Sequence, residues 1–460
     1  MPVTFGGGAT ETAVSPMAAV LLCIAIVLIL ILPRKYVIMP VLLSVFLIPT
    51  GNVVVLASVH LQPVRIISLF GCVRLILIKL MSSGKLYGDR WNLVDTIFIL
   101  WALWRSLAVI LLWQTSAALI LECGHIWSSI GMYLLLRYFI QDDADIQRVI
   151  KLFCIIAVIN AAGMVYEQVR SQNLFGIYLG GVAQVPAIRD GSIRSEGVFQ
   201  HAILAGTFGA TLLPLLVWLW KTRASRLLVV LGIVSSAIMV VTSASSTPVG
   251  ACAGAILAIL FWPLRKKMRA IRWGIVMALV ALQCVMKAPV WFLIDRVGVI
   301  GASTGYFRAM LVDQFIRHFF DWWLIGIKST ASWGESMWDL SNQFVAEGET
   351  GGLLTFILFI AIIKGCFARL GLARSHVDGD KKQEWFMWLL GSAMFAHLNA
   401  YFGVSYWDQM QYAWFALLAI ILAATATRLA DATDRVPIER AVDPFSYANG
   451  MHALNRGSSL

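Results

Sequence analysis

The sequence predicts an all-α fold: a polytopic transmembrane helical bundle of about 12 or 13 spans, with a large extracytoplasmic loop containing short interfacial helices. Of the 460 residues, 59% are hydrophobic and 13% are charged, whereas soluble domains average about 25% charged residues. Apolar runs long enough for a membrane helix recur from Met17 to Thr427. These features exclude a water-soluble fold.

Thirteen apolar segments are candidate spans, with boundaries defined to within about four residues. They lie at 17–32, 37–50, 64–80, 93–113, 116–137, 149–167, 198–220, 227–243, 248–263, 273–290, 351–368, 385–403 and 409–427. Prolines interrupt the second and third, which gives the alternative count of twelve. We expect residues 17–32 to be a retained first span, because no basic region and cleavage site precede it.

The positive residues predict the orientation of the chain in the membrane. The net charge of +11 is also compatible with nucleic-acid binding, but Lys and Arg concentrate in short connectors, as expected of cytoplasmic loops. These connectors are 33–36, 81–92, 138–148, 221–226, 264–272 and 369–384. The N-terminal segment 1–16 and the long polar segments 168–197 and 291–350 then lie outside, and the tail 430–460 is a mobile cytoplasmic extension.

Cysteine and histidine spacing predicts neither a disulfide framework nor a metal site. All seven cysteines fall inside or beside apolar runs, and the seven histidines lack metal-ligand spacing. Phosphate loops, nucleophile elbows and other motifs of soluble enzymes are absent from the sequence.

Charges within the predicted spans must face protein or a water-filled cavity. Arg105 and Glu122 lie at similar depth on either side of the turn between the fourth and fifth spans, so an ion pair is their simplest explanation and a substrate role the alternative. We expect Arg65 to extend to the outer membrane surface. Arg74 is a candidate for a polar pocket.

Basic side chains in the outer segments suggest an anionic ligand, with harmless solvated charge as the alternative. They are Arg170, Arg189, Arg194, Arg296, Arg308, Arg317 and Lys328. Arginine suits bidentate recognition of phosphate. The run 243–248 is by default a polar turn, and contact with carbohydrate is the alternative.

The second outer segment contains an amphipathic helix at 306–323, where Phe307, Leu311, Phe315 and Phe319 recur every four residues. An interfacial position on the outer leaflet fits its aromatic content. The stretch 338–352 follows and leads into the eleventh span. Its Asn and carboxylates are expected to cap that helix or to supply a general base.

These features together resemble the O-antigen ligase and O-antigen polymerase superfamily of bacterial membrane glycosyltransferases. The segment 194–201, running into a span that holds Pro214, is similar to the family's Arg-x-x-Gly-x-Phe signature. The segment 303–326, with Arg308, His318 and Gly326, resembles part of the large periplasmic loop. The segment 341–353 resembles the family's His-Asn-x-Tyr-Leu and Glu-x-Gly stretch, and the resemblance spans residues 190–365.

Two positions depart from the family pattern. Ser341 stands where many members carry His, and Phe319 stands where Pro is expected. The catalytic base is therefore left open among Asp339, His318 and Glu347.

The resemblance, combined with the outer charges, implies an inverting glycosyltransferase in the bacterial inner membrane, with its active site facing the periplasm or cell exterior. An acceptor hydroxyl would attack a glycan carried on undecaprenyl pyrophosphate, without a metal or other cofactor. The implied partners are this donor, a glycan or lipid acceptor, membrane lipids and other polysaccharide assembly proteins, but not nucleic acid. The implied substrate-binding residues are Arg74, Arg189, Arg194, His201, Arg308, Arg317 and Asn342.

Polymerase and ligase share these motifs, so either activity fits. A lipid-linked glycan flippase or polysaccharide-export transporter is the main alternative, because it too requires many spans and buried charges. A scaffold subunit of an export complex is a third hypothesis.

Overall fold

The computed structural model describes residues 12–56, 59–81, 86–87, 90–222, 226–297 and 302–434. The first eleven residues, most of the predicted tail and the side chain of Arg296 lie outside this description.

The described residues form α-helices joined by short turns and two small antiparallel hairpins. The helices of the first half are α1 (Pro16–Ile31), α2 (Arg34–Leu47), α3 (Pro63–Met81), α4 (Leu93–Trp113), α5 (Ser116–Phe139), α6 (Asp143–Arg170), α7 (Leu174–Tyr178), α8 (Ala202–Trp220) and α9 (Arg226–Thr242). Those of the second half are α10 (Ser246–Leu260), α11 (Met268–Val285), α12 (Leu293–Val297), α13 (Ala302–Arg317), α14 (Phe319–Trp322), α15 (Gln343–His376), α16 (Lys381–Tyr401) and α17 (Gln409–Asp434). The hairpins pair β1 (Val54–Leu56) with β2 (Val59–Leu61), and β3 (Ala187–Arg189) with β4 (Ser192–Arg194).

The all-α prediction is confirmed, and each predicted span overlaps one of these helices. Within the described ranges, seven helices are long and apolar enough to cross a membrane: 93–113, 116–139, 143–170, 202–220, 262–285, 343–376 and 409–430. The chain therefore has the character of a multi-pass membrane protein. The full count of spans and the orientation stay predictions.

Polar contacts between helices concentrate at the two ends of the bundle. At the end with the basic connectors, Arg34 pairs with Asp145 at 3.0 Å and Arg265 with Glu384 at 2.7 Å. At the opposite end the Thr247 hydroxyl donates to the Gly403 carbonyl at 3.0 Å. Both long polar segments contact the bundle at this second end.

A small apolar core holds part of the second polar segment together. Helices α13 and α14 and the stretch that follows them bury Leu311, Phe315, Trp322 and Trp333 around one another. Phe315 stacks on Trp322 with ring centroids 4.0 Å apart. We call residues 302–342 the outer unit. The apolar side chains that recur every four residues in the sequence pack into the core of this unit.

A break in α15 attaches the outer unit to the bundle. Gly352 has φ +72°, a left-handed conformation that interrupts the helix, and a Cβ there would lie 2.6 Å from the Leu324 carbonyl oxygen. The Leu353 N–H just beyond the break donates to the Trp323 carbonyl at 2.8 Å. Glycine is required here for both the conformation and the close approach.

Among the ion pairs of the described residues, the most deeply buried joins α4 to α5. Arg137 Nε lies 2.7 Å from Asp95 Oδ1, and both side chains are almost inaccessible. The Tyr133 hydroxyl donates to the same carboxylate at 2.6 Å. Asp95 also accepts from the Asn92 N–H and so closes a capping box at the start of α4.

Replacing Arg137 with Met should lower the free energy of unfolding by about 3–5 kcal/mol, because it leaves the Asp95 carboxylate buried without its cation. Titration of the purified protein from mild detergent into sodium dodecyl sulfate measures this loss. The control is Lys266→Met, which breaks the exposed Lys266–Asp378 pair and should cost less than about 1 kcal/mol. Equal losses in the two variants would contradict the assignment.

Candidate functional site

Two arginines from distant parts of the sequence meet at the turn between α9 and α10. Arg194 Nη2 donates to Ser245 Oγ at 2.8 Å. Arg308 Nη1 and Nη2 donate to Ser246 Oγ at 3.3 Å and Thr247 Oγ1 at 2.7 Å. We call Ser245–Thr247 the hydroxyl turn. The arginine site is this turn with the two arginines, together with Arg189 and Asp339, whose charges interact with that of Arg308. The structure thus brings together Arg194 and Arg308, as the phosphate hypothesis requires.

The β3–β4 hairpin positions Arg189 and Arg194. Asp190 and Gly191 form its turn with φ values of +52° and +74°, the conformation for which Asp-Gly is favoured. The register pairs Ala187 with Arg194, so Arg189, two residues beyond Ala187, projects from the same face as Arg194. Sequence reasoning missed this hairpin, although the Asp-Gly pair between short alternating segments was available as a signal.

Buried polar side chains of α6 fix the backbone just after Arg194. The Glu167 carboxylate accepts from the N–H groups of Glu196 at 2.9 Å and Gly197 at 2.8 Å. Asn160 Oδ1 accepts from the Val198 N–H at 3.2 Å. Gly197 has φ +60°, and a Cβ there would lie 3.0 Å from Asn160 Oδ1. The glycine of the family-like signature therefore has a physical role in aiming Arg194.

Both arginines retain unused hydrogen-bond donors. The Nε atoms of Arg194 and Arg308 are buried and have no hydrogen-bond partner in the described structure. Burial lowers the pKa of Arg308, and the nearby charge of Arg189 lowers it further, whereas Asp339 acts in the opposite direction. A bound anion would offset the repulsion between the guanidinium groups.

The first turn of α10 adds backbone donors to the site. Ser245 occupies the N-cap position, but its hydroxyl donates to the Ser243 carbonyl at 3.0 Å and caps no N–H of the helix. An uncapped helix N-terminus beside two arginines is well suited to a phosphate or pyrophosphate group. The turn 243–248 therefore contributes in two ways: its hydroxyl groups accept from the arginines, and it begins the helix whose N–H groups face the site.

Two carboxyl groups are close enough to the arginines for their charges to interact. Partial burial raises the pKa of Asp339, and the Arg308 charge lowers it. Burial raises the pKa of Glu196 to about 8, the Glu167 charge adds to the rise, and Arg194 opposes it. Glu196 lies within the segment 194–201, where it falls at an unspecified position of the Arg-x-x-Gly-x-Phe pattern.

His201 borders the site and caps α8. Its Nδ1 accepts from the Ile203 N–H at 3.1 Å, and it lies close enough to Arg194 for their charges to interact.

Three predicted site residues make structural contacts in the outer unit. Arg317 pairs with Asp313 at 2.6 Å and its side chain is 66% exposed. His318 Nδ1 lies 2.8 Å from Asp321 Oδ2, and its ring stacks on Trp333. His318 directly follows α13, ten positions after Arg308, which corresponds to a rise of about 15 Å along the helix.

The third of these predicted site residues, Asn342, caps the start of α15. Its Oδ1 accepts a hydrogen bond from the Phe344 N–H at 2.9 Å.

Glu347 lies in a different place, inside the bundle. Its carboxylate accepts from Trp101 Nε1 at 2.8 Å and from Gln343 Nε2 at 2.6 Å. It lines an internal polar cavity together with Arg105 and His125. No ion pair joins Arg105 to Glu122 within the described ranges, although their charges interact.

The arginines of α3 do not reach the arginine site. Arg74 donates from Nη1 to the Ile29 carbonyl and so joins α3 to α1. Arg65 was expected at the outer surface, but that prediction is wrong: it is 5% exposed and donates to the His60 carbonyl at 2.7 Å. Gly124 of α5 leaves the space that the Arg65 guanidinium occupies.

No protein-family model and no curated protein matches this chain. The case for its function therefore rests on the residues and their geometry.

Replacing Arg308 with Lys should weaken binding of inorganic pyrophosphate by about tenfold or more, because an ammonium group cannot reproduce the planar fork. Isothermal titration calorimetry on the purified full chain measures the affinity. The control is Arg317→Lys on the same helix, which should leave the affinity unchanged. If Arg308→Lys bound pyrophosphate as tightly as the unaltered protein, the arginine site would not be an anion site.

Anion binding should also weaken as pH rises through about 8, by about fivefold, because Glu196 then ionises beside Arg194. Sulfate is the suitable probe, since its own charge is constant between pH 7 and 9. Glu196→Gln should abolish this pH dependence, whereas Glu335→Gln at the exposed surface should retain it. A Glu196→Gln variant with the original pH profile would assign the effect to another group.

Proposed function

We propose that the protein is a membrane glycosyltransferase that transfers or polymerises a glycan from an undecaprenyl-pyrophosphate donor onto an acceptor hydroxyl, on the extracytoplasmic face. The observation that carries this proposal is the convergence of Arg194 and Arg308 on the hydroxyl turn. It occurs at the end of the bundle opposite the basic connectors, where the positive-inside rule predicts the outside.

A lipid-linked pyrophosphate matches the site in charge and in position. Its phosphate oxygens would contact the partly exposed guanidinium groups of Arg194 and Arg308 and the N–H groups of the first turn of α10. The site lies at the ends of two apolar helices, α9 and α10, and the headgroup of a membrane-embedded donor would be located at such a position. The neighbouring outer unit exposes large apolar side chains, including Phe320 at 82% and Leu324 at 62%, and these favour contact with lipid.

The chemistry requires charge stabilisation and one proton transfer. The acceptor oxygen forms a bond to the anomeric carbon while the bond from that carbon to the phosphate oxygen breaks, with inversion. The pyrophosphate leaves with the bonding electron pair, and the arginines stabilise its charge. Asp339 receives the hydroxyl proton, since it is exposed in the outer unit and close enough to Arg308 for their charges to interact.

Among the three candidate bases, the contacts favour Asp339. His318 is engaged by Asp321 and Trp333, about 15 Å along the helix from Arg308. Glu347 is engaged by Trp101 and Gln343 within the bundle.

A lipid-linked glycan flippase is the second candidate function. It is favoured by the internal cavity that contains Arg105 and Glu347 and by the break in α15, because transporters often bind their substrates at interrupted helices within the membrane. Purified protein in vesicles with lipid-linked oligosaccharide distinguishes the two. Movement of the lipid without lengthening or transfer of the glycan would support the flippase.

Replacing Asp339 with Asn should lower glycan transfer in this reconstituted assay by about 100-fold or more, the usual loss for a general base. The matched control is Asp321→Asn, which removes a carboxylate from the same outer unit and should retain most of the activity. His318→Ala and Glu347→Gln complete the set. Full activity in Asp339→Asn with loss in one of these would move the base to that residue.

A further inference from the structure

A second cavity lies at the end of the bundle that bears the basic connectors, opposite the arginine site. It has a volume of about 350 Å³ and opens between α6, α8, α16 and α17. This volume is within the range of small-ligand sites. We call it the basic-end pocket; it shares no residue with the arginine site.

One arginine of the pocket is neutralised and held in place. Arg428 donates from Nη1 and Nη2 to the two carboxylate oxygens of Asp143, at 2.6 and 2.7 Å. It also donates to Gln383 Oε1 at 2.7 Å. Because the Gln383 oxygen is occupied, its amide N–H₂ group is the part available to a ligand.

Lys382 gives the pocket its excess positive charge. It is exposed at the start of α16 and lines the pocket, and no carboxylate in the described part of the chain pairs with it. The Gln147 side chain lines the same pocket and adds a second amide. An ammonium group with two amides forms a set of donors that fits a phosphate group.

The wall of the pocket is apolar. Trp218 of α8 stacks on Phe386 of α16 with ring centroids 4.2 Å apart, and the Arg428 guanidinium lies 4.9 Å from the Phe386 ring. A polar, positively charged opening above an apolar wall, between helices of membrane length, matches the boundary between lipid headgroups and acyl chains.

We infer that the basic-end pocket binds the headgroup phosphate of an anionic membrane lipid, contacted by Lys382 and the amides of Gln147 and Gln383. Basic pockets between transmembrane helices on the cytoplasmic side take such headgroups. The inference depends on the orientation indicated by the basic connectors and is independent of the proposed transfer reaction. A zwitterionic lipid should bind the pocket more weakly, because it carries no net charge for Lys382 to neutralise.

Native mass spectrometry of the purified full chain tests this with phosphatidylglycerol and phosphatidylethanolamine added in equal amounts. The unaltered protein should retain phosphatidylglycerol preferentially. Lys382→Gln should reduce that retention about fivefold, the contribution of one lysine at a membrane surface, and should leave phosphatidylethanolamine unchanged. Gln147→Leu should reduce it as well.

The matched control is Lys381→Gln, which removes the same charge one residue earlier, outside the pocket lining. It should retain phosphatidylglycerol within twofold of the unaltered protein, on the order expected for an exposed charge. If the two lysine variants lost phosphatidylglycerol retention equally, the preference would arise from general attraction to a positive surface, and the proposed site would be wrong. Lys382-dependent binding of soluble glycerol 3-phosphate without any preference between the lipids would overturn the lipid assignment. No transfer is measured, so failure here leaves the proposed function untouched.

Discussion

The position of Arg194 depends on the carboxylate of Glu167. Irregular backbone at the end of a membrane helix needs partners from the protein, because the bilayer supplies none. Glu167 accepts from two successive N–H groups after Arg194, and Asn173 Nδ2 donates to the Gly197 carbonyl at 2.8 Å. The chain leaves the β3–β4 hairpin on a fixed path into α8, and Arg194 is thereby aimed at the hydroxyl turn.

Asp408 provides a second support for the same region from the far end of the sequence. Its carboxylate accepts from the Thr50 hydroxyl and, at 2.9 Å, from the Gln200 N–H. It does so with φ +58°, a left-handed conformation that is uncommon for residues other than glycine. Elements from the beginning, middle and end of the chain therefore meet beside the arginine site.

The sequence predicted the helices well because their signal is local. Apolar runs and basic connectors lie next to one another in the chain, and the fourth predicted span, 93–113, coincides with α4. The spacing of Phe307, Leu311 and Phe315 likewise anticipated one face of α13. The likeness of 194–201 to a signature located Arg194, although nothing local indicated that it would meet the turn beginning at Ser245.

What the sequence could not provide was the depth and direction of individual side chains. Three predicted site residues bind partners within four residues of themselves in the sequence: His318, Arg317 and Asn342. These local contacts are enough to explain their presence. The burial of Arg65 could not be predicted from its own segment, because it depends on the space that Gly124 of another helix leaves for the guanidinium group. Glu347 and Asp339 are eight residues apart, yet one lies within the bundle and the other in the outer unit, because α15 begins between them.

The contacts of Glu167 and Asp408 also set an order of events during synthesis. Gly197 follows Glu167 by 30 residues, which ribosomes synthesise in roughly two to six seconds. Asp408 follows Gln200 by 208 residues, a delay on the order of ten to forty seconds. A nascent chain therefore inserts most of its membrane helices before the arginine site gains its last support. Premature termination between Gln200 and α17 leaves the segment 194–201 without the contact that Asp408 provides.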